Sequence, residues 1–101
     1  MKTFNKLVRD KIPEICKANG ETPITRVLSD DEYLHELIRK LAEEYEEFKE
    51  AESIEELADI QEVVLALADV IASRTGLEKV RAEKAAKRGA FADKIFLERV
   101  E

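Results

Sequence analysis

Four acids in two pairs dominate the middle of the chain. They are Glu44 and Glu47 in the run Glu43-Glu44-Tyr-Glu-Glu47, and Glu56 and Asp59 in Glu56-Leu-Ala-Asp59. Residues three apart share a helix face about one turn apart, so each pair is a two-carboxylate ladder if its segment is helical. Residues 49–53 between them make a connection short enough to fold two helices back antiparallel. Facing positions in such a hairpin have a constant sum. Glu44 with Asp59 and Glu47 with Glu56 both meet that condition. Carboxylates facing one another at ~6 Å in an effective dielectric of about 20 repel by roughly 3 kcal/mol per pair. The arrangement therefore calls for a cation. Hard oxygen ligands with no His or Cys point to Mg²⁺ or Mn²⁺. Magnesium ordinarily takes one or two protein carboxylates. Four suggest more than one ion, or water-mediated contacts, with substrate phosphates completing the shell.

The elements that must position these acids are legible as helices. Ser29-Asp-Asp-Glu32 is a capping box that starts the first long helix. Leu34, Leu37, Ile38, Leu41, Tyr45 and Phe48 recur along it at helical spacing, with Glu44 at the edge of that stripe and Glu47 further round. Ser53-Ile-Glu-Glu56 reads as a second capping box opening a helix with a wide apolar stripe, from Leu57 and Ile60 to Val70 and Ile71. Glu56 falls inside that stripe, an unusual place for an acid. Gly76 is expected to end this helix, and residues 77–88 to form a shorter basic one stopped by Gly89. Upstream, Asp10-Lys-Ile-Pro13 can open a short helix closed by Asn19-Gly20. Ile12, Ile15 and Cys16 would share its inner face. Residues 24–28 and 94–100 read as extended, a candidate two-stranded extension at the termini. The expectation is an all-α fold in a single domain over residues 1–101. It is an antiparallel helical hairpin or bundle with a third, basic helix.

Composition narrows the function classes. Of 101 residues, 40% are charged, six are aromatic and none is Trp, which suits a helical protein whose thin core a second subunit would complete. The net charge of −6 is segregated: residues 29–62 hold fourteen acids and three bases, and the remainder nine acids and fourteen bases. A chain so divided can hold divalent metal in one place and phosphate in another. Cys16 is the only cysteine, which excludes an internal disulfide and a Cys-based zinc site, and it reads as a small buried hydrophobe. Glu32-Tyr-Leu-His35 matches one Glu-x-x-His element of carboxylate-bridged di-iron bundles. That class needs two such elements, and this chain has one His. His35 thus reads as a partly exposed helix residue. No apolar run approaches the ~20 residues of a membrane span. The expected setting is cytoplasmic, with neither a membrane nor a nucleic acid as partner. Lys6, Arg9 and Lys11, together with Lys84, Lys87 and Arg88, are candidates for neutralising a polyphosphate. No Gly-rich phosphate loop is present, so metal and side chains would have to do that work.

Glu43-Glu44-x-x-Glu47 followed by Glu56-x-x-Asp59 resembles the metal signature of the all-α nucleotide pyrophosphohydrolases, the MazG-like proteins and their phosphoribosyl-ATP pyrophosphohydrolase relatives. The opening Asn5-Lys-Leu-Val-Arg-Asp-Lys-Ile-Pro13 and the closing Lys87-Arg-Gly-Ala-Phe91 resemble the single-domain branch described as predicted house-cleaning pyrophosphatases for non-standard nucleotides. The resemblance implies a metal site at Glu44, Glu47, Glu56 and Asp59. It also implies a homodimer or a dimer of dimers, with helices of two subunits building the cleft. The reaction it implies is cleavage of a nucleoside triphosphate between the α and β phosphates to a monophosphate and pyrophosphate. Metal would absorb developing charge while one carboxylate orients or deprotonates water, with Glu43 and Glu47 as the candidates. Eight residues separate the two acid pairs, fewer than in many relatives, which bears on the shape of the base pocket. Two other readings stand beside this one. One is phosphoribosyl-ATP hydrolysis. The other, of a different class, is a non-catalytic helical dimer acting as a regulatory or interaction module.

Overall fold

The computed structural model describes all 101 residues, Met1–Glu101, and every regular element in it is a helix. In chain order these are α1 (Ile12–Ala18), α2 (Asp30–Ala51), α3 (Ile54–Ile71) and α4 (Arg74–Arg88). The all-α expectation holds. The strand extension does not: residues 24–28 and 94–100 carry no strand. Ile24 and Val27 are β-branched, but they are almost fully exposed. An extended segment without a neighbour to complete its hydrogen-bond ladder has nothing to hold it as sheet.

Local chemistry explains the helix boundaries. α2 starts at a complete capping box, in which Ser29 Oγ accepts from the Glu32 backbone N–H at 3.3 Å and the Ser29 N–H donates to Glu32 Oε1 at 3.2 Å. Arg26 also donates to both Glu32 oxygens. Its guanidinium, and then the Ser29 donors, hold the Glu32 carboxyl at a pKa of about 2. α2 runs three residues further than the sequence pattern predicts, to Ala51, because Glu52 takes the left-handed turn (φ 49°) that ends it. Only Glu52 and Ser53 then separate α2 from α3.

The stop assigned to Gly76 is also corrected. α3 ends at Ile71, and Gly76 lies inside α4, where its N–H donates to Ser73 Oγ at 2.9 Å. Ser73 is thus an N-cap three residues ahead of Gly76, and the cap bond outweighs the helix-breaking tendency of one glycine. α1 is short, opened by Pro13 and closed at Asn19, with Gly20 at φ 80°.

α2 packs chiefly on α3 and α3 on α4, while α1 packs on no other helix. Ile12 and Cys16 are half-covered and Ile15 is exposed, so the expected inner face of α1 is only partly formed. The buried residues are Leu37, Val63, Ala68 and one acid, Glu44. The Cα radius of gyration is 17.9 Å, with extents of 61 × 31 × 23 Å, against about 13 Å for a compact chain of this length. A single copy is extended and leaves many large apolar side chains exposed. No helix is long and apolar enough to cross a membrane.

Candidate metal centre

The two-residue connection brings the acid ladders of α2 and α3 together. Glu44, Glu56 and Asp59 each offer a carboxylate oxygen, and the three atoms all lie within 4.8 Å of one another. Oxygens this close could share one divalent ion after a small side-chain adjustment. Glu47, the fourth acid of the predicted quartet, is exposed and stands outside the trio. It adjoins Glu44, whose titration it perturbs.

Burial and partners differ sharply among the acids. Glu44 is 6% exposed. Loss of water pushes its carboxyl above the ordinary value, the neighbouring Glu47 adds to the rise, and Lys40 opposes it. Glu44 Oε2 and Glu56 Oε2 are both buried without any hydrogen-bond partner. Buried carboxylate oxygens are rarely left orphaned, because desolvation without a compensating bond is costly. The donor set is hard, anionic and short of donors, and it fits a divalent cation.

Glu56 carries a further sign. It occupies the same third helical position after a capping serine as Glu32, and Ser53 Oγ accepts from the Glu56 N–H at 3.3 Å. The reciprocal bond from the glutamate back to the serine backbone, present at Ser29 and Glu32, is missing at Ser53. The second capping box expected from the sequence is half-made. Glu56 turns its carboxylate to the trio instead, forgoing a bond its position offers.

Cations approach from the N-terminal segment and from α2. Lys6 Nζ donates to Glu43 Oε1 at 3.1 Å, and Arg9 Nη2 donates to Asp59 Oδ1 at 2.7 Å. Lys40 Nζ lies 3.3 Å from Glu43 Oε1 and 3.4 Å from Glu44 Oε1. Lys6, with Lys40 behind it, holds the Glu43 carboxyl below its ordinary value against a partial loss of water. A small open cavity of about 180 Å³ beside this group is lined by Lys6, Leu7, Glu36, Arg39, Lys40 and Glu43.

Of the six cations predicted to bind phosphate, the structure brings Lys6 and Arg9 to the acids. Lys11 is the exposed residue that precedes α1. Lys84, Lys87 and Arg88 are exposed on α4, with no ion pair to the acid group. Lys40 was missed in the sequence. Its spacing of three and four residues before Glu43 and Glu44 is the helical ion-pair signal that could have found it. His35 is exposed, its Nδ1 bonded to the Asp31 carbonyl at 2.8 Å, and Cys16 is a half-covered free thiol.

No family model matches the chain, and no solved structure matches it. The chain is similar to an uncharacterized protein of Mycolicibacterium smegmatis (strain ATCC 700084 / mc(2)155), 52% identical over 48 residues. That stretch covers 48% of this chain and 49% of the relative, so the likeness spans about half of each.

Proposed function

We propose that this chain is a Mg²⁺-dependent nucleoside triphosphate pyrophosphohydrolase of the MazG-like kind. It cleaves between the α and β phosphates to release a nucleoside monophosphate and pyrophosphate. Its scaffold is an antiparallel α2–α3 hairpin with α4 as a basic third helix, in one domain over residues 1–101. It assembles as a homodimer or dimer of dimers and acts in the cytoplasm as a house-cleaning enzyme on non-standard nucleotides. One observation carries the reading: two members of the three-carboxylate group, Glu44 and Glu56, each hold a buried oxygen without a hydrogen-bond partner. Mn²⁺ would suit the same oxygens.

Glu44, Glu56 and Asp59 would hold the metal, with Glu47 joining through water. When bound, the ion would polarise phosphate oxygens and absorb charge as the bridging P–O bond breaks. The chain's own groups supply the rest. Glu47 is the better candidate base, since it is exposed beside Glu44 and no ion pair engages it. It would take the proton of the attacking water as the new P–O bond forms. Glu43 is engaged by Lys6 and Lys40, and its role is to position those cations. Lys6, Arg39 and Lys40, together with Glu36 and Glu43, line the small cavity beside the acids and would be the cations nearest a bound phosphate. Arg9 offsets Asp59, and Lys11, Lys84, Lys87 and Arg88 are further candidates for the outer phosphates.

The test is Mg²⁺-dependent pyrophosphate release over standard and damaged nucleotides, with phosphoribosyl-ATP included to separate that activity. Release from some nucleotide is expected, and Glu56→Gln should abolish it with helicity retained. Undiminished activity in Glu56→Gln would remove the acid group from the mechanism. The ion pairs made by Lys6, Arg9 and Lys40 favour a second reading, a non-catalytic helical dimer whose acids are neutralised internally. In that case a non-hydrolysable nucleotide leaves Mg²⁺ affinity unchanged, whereas a catalytic cleft binds the metal more tightly in its presence.

A further inference from the structure

Lys40 differs from every other paired cation of the chain. Its Nζ lies 3.3 Å from Glu43 Oε1 and 3.4 Å from Glu44 Oε1, and no other cation is paired with two acids. Two further pairs on α2 have helical spacing, Arg39 with Glu36 and Lys49 with Glu46, and the cations of both are exposed. Pairs of that kind carry little energetic weight. The Lys40 side chain is only 19% exposed. An ammonium drawn that far out of water needs its charge matched on the spot. Glu44 divides its oxygens accordingly: Oε1 meets Lys40, while Oε2 is buried with no partner. We propose that Lys40 is a built-in cation standing where a second divalent ion would otherwise sit, between Glu43 and Glu44, so that each copy holds one metal ion before any nucleotide arrives. This rests on the reading of Glu44, Glu56 and Asp59 as a metal centre, and it replaces the several ions that the acids alone suggest.

Space and charge both support this role. An ion shared by Glu43 Oε1 and Glu44 Oε1 would need the space that the ammonium fills. Five acids gather here, Glu43, Glu44, Glu47, Glu56 and Asp59, and three cations serve them, Lys6, Arg9 and Lys40. Two negative charges are left over. One divalent ion cancels them, and a second would leave the group positive. Without Lys40 the excess is three, and Glu44 loses its one paired cation. Neither remaining cation replaces it, since Lys6 pairs with Glu43 and Arg9 with Asp59, and both are more exposed than Lys40. Lys40 also lines the small cavity with Lys6 and Arg39. A phosphate entering there meets a cation already in place, and any further divalent ion arrives with the phosphate rather than ahead of it.

Mn²⁺ alone is the probe. Equilibrium dialysis of the full chain without nucleotide, with free Mn²⁺ read by electron paramagnetic resonance, should give one bound ion per copy. Lys40→Met keeps a long, helix-favouring side chain and removes its charge. That variant should bind two ions, with the bound signal broadened by coupling between neighbours. Lys40→Gln should do the same, so the reading does not hang on one variant folding, and Lys40→Arg should stay at one. Circular dichroism checks helicity in each. Two ions in the unchanged chain, or a single ion in both uncharged variants with helicity intact, would overturn the role of Lys40 and leave the metal centre standing. No bound ion in the unchanged chain would overturn the metal centre and the role of Lys40 together.

Discussion

Glu56→Gln should make the metal-free protein more stable. Glu56 contributes an oxygen within 4.8 Å of one on Glu44 and one on Asp59. Two unit charges at that separation repel by about 3.5 kcal/mol in an effective dielectric of about 20. Arg9 at 2.7 Å offsets much of the Asp59 charge, and Lys40 at 3.4 Å part of that on Glu44. No ion pair serves Glu56, whose Oε2 is buried without a partner. Replacing the charge with an isosteric amide removes both repulsions and loses no ion pair. After the offsets, the expected gain is about 2 kcal/mol, or roughly 8–16 °C in the midpoint for a domain of this size. Thermal unfolding followed by circular dichroism, first in chelator and then in Mg²⁺, measures it. Saturating metal should reverse the advantage, since ligand at a hundred times its dissociation constant stabilises the site that binds it by about 2.7 kcal/mol. If the variant is no more stable than the parent in chelator, or gains as much from Mg²⁺, the acids do not form a strained cation site.

Glu44→Gln tests the same site through pH. The folded-state value of Glu44 is raised, so its favourable contribution is complete below the ordinary glutamate range and is lost as pH rises through the folded value. Urea midpoints of parent and variant in chelator should therefore coincide in acid and diverge in the variant's favour toward neutrality. Arg9→Ala should bind Mg²⁺ alone more tightly, by up to about fivefold, because a partly exposed ion pair worth about 1 kcal/mol no longer competes for Asp59; calorimetric titration reads this directly. Glu52→Gly should stabilise the protein by about 0.5–1 kcal/mol in urea denaturation. The left-handed turn costs a side chain about 1–2 kcal/mol, partly offset by the greater freedom of glycine in the unfolded chain.

The features that could be read from the sequence are those that depend on neighbours along the chain. Ser29, Ser53 and the apolar spacing of Leu34 to Phe48 announce α2 and α3 because capping and amphipathicity act within a turn or two. The meeting of Glu44, Glu56 and Asp59 followed because a short connection leaves little freedom in register. The reading went astray where two local signals compete. Gly76 suggested a stop, but Ser73 supplied a start three residues earlier. The β-branched residues 24–28 suggested a strand, but a strand requires a partner. The contacts of Lys6 with Glu43 and of Arg9 with Asp59 span 37 and 50 residues, a distance over which no periodicity operates. Their charges were visible beforehand, but their destinations required the fold.

The joint made by Glu52 and Ser53 also limits how this chain can vary. With no slack between α2 and α3, the two helices are geared together. One residue added at the start of α3, ahead of Glu56, would turn everything downstream by about 100° and swing Glu56 and Asp59 away from Glu44. An insertion close to a whole turn, roughly four residues, would restore the phase while lifting the acids by one step of the ladder. Chains that share this arrangement but differ in the length of the gap should therefore do so in near-complete turns, or by loosening the joint into a true loop.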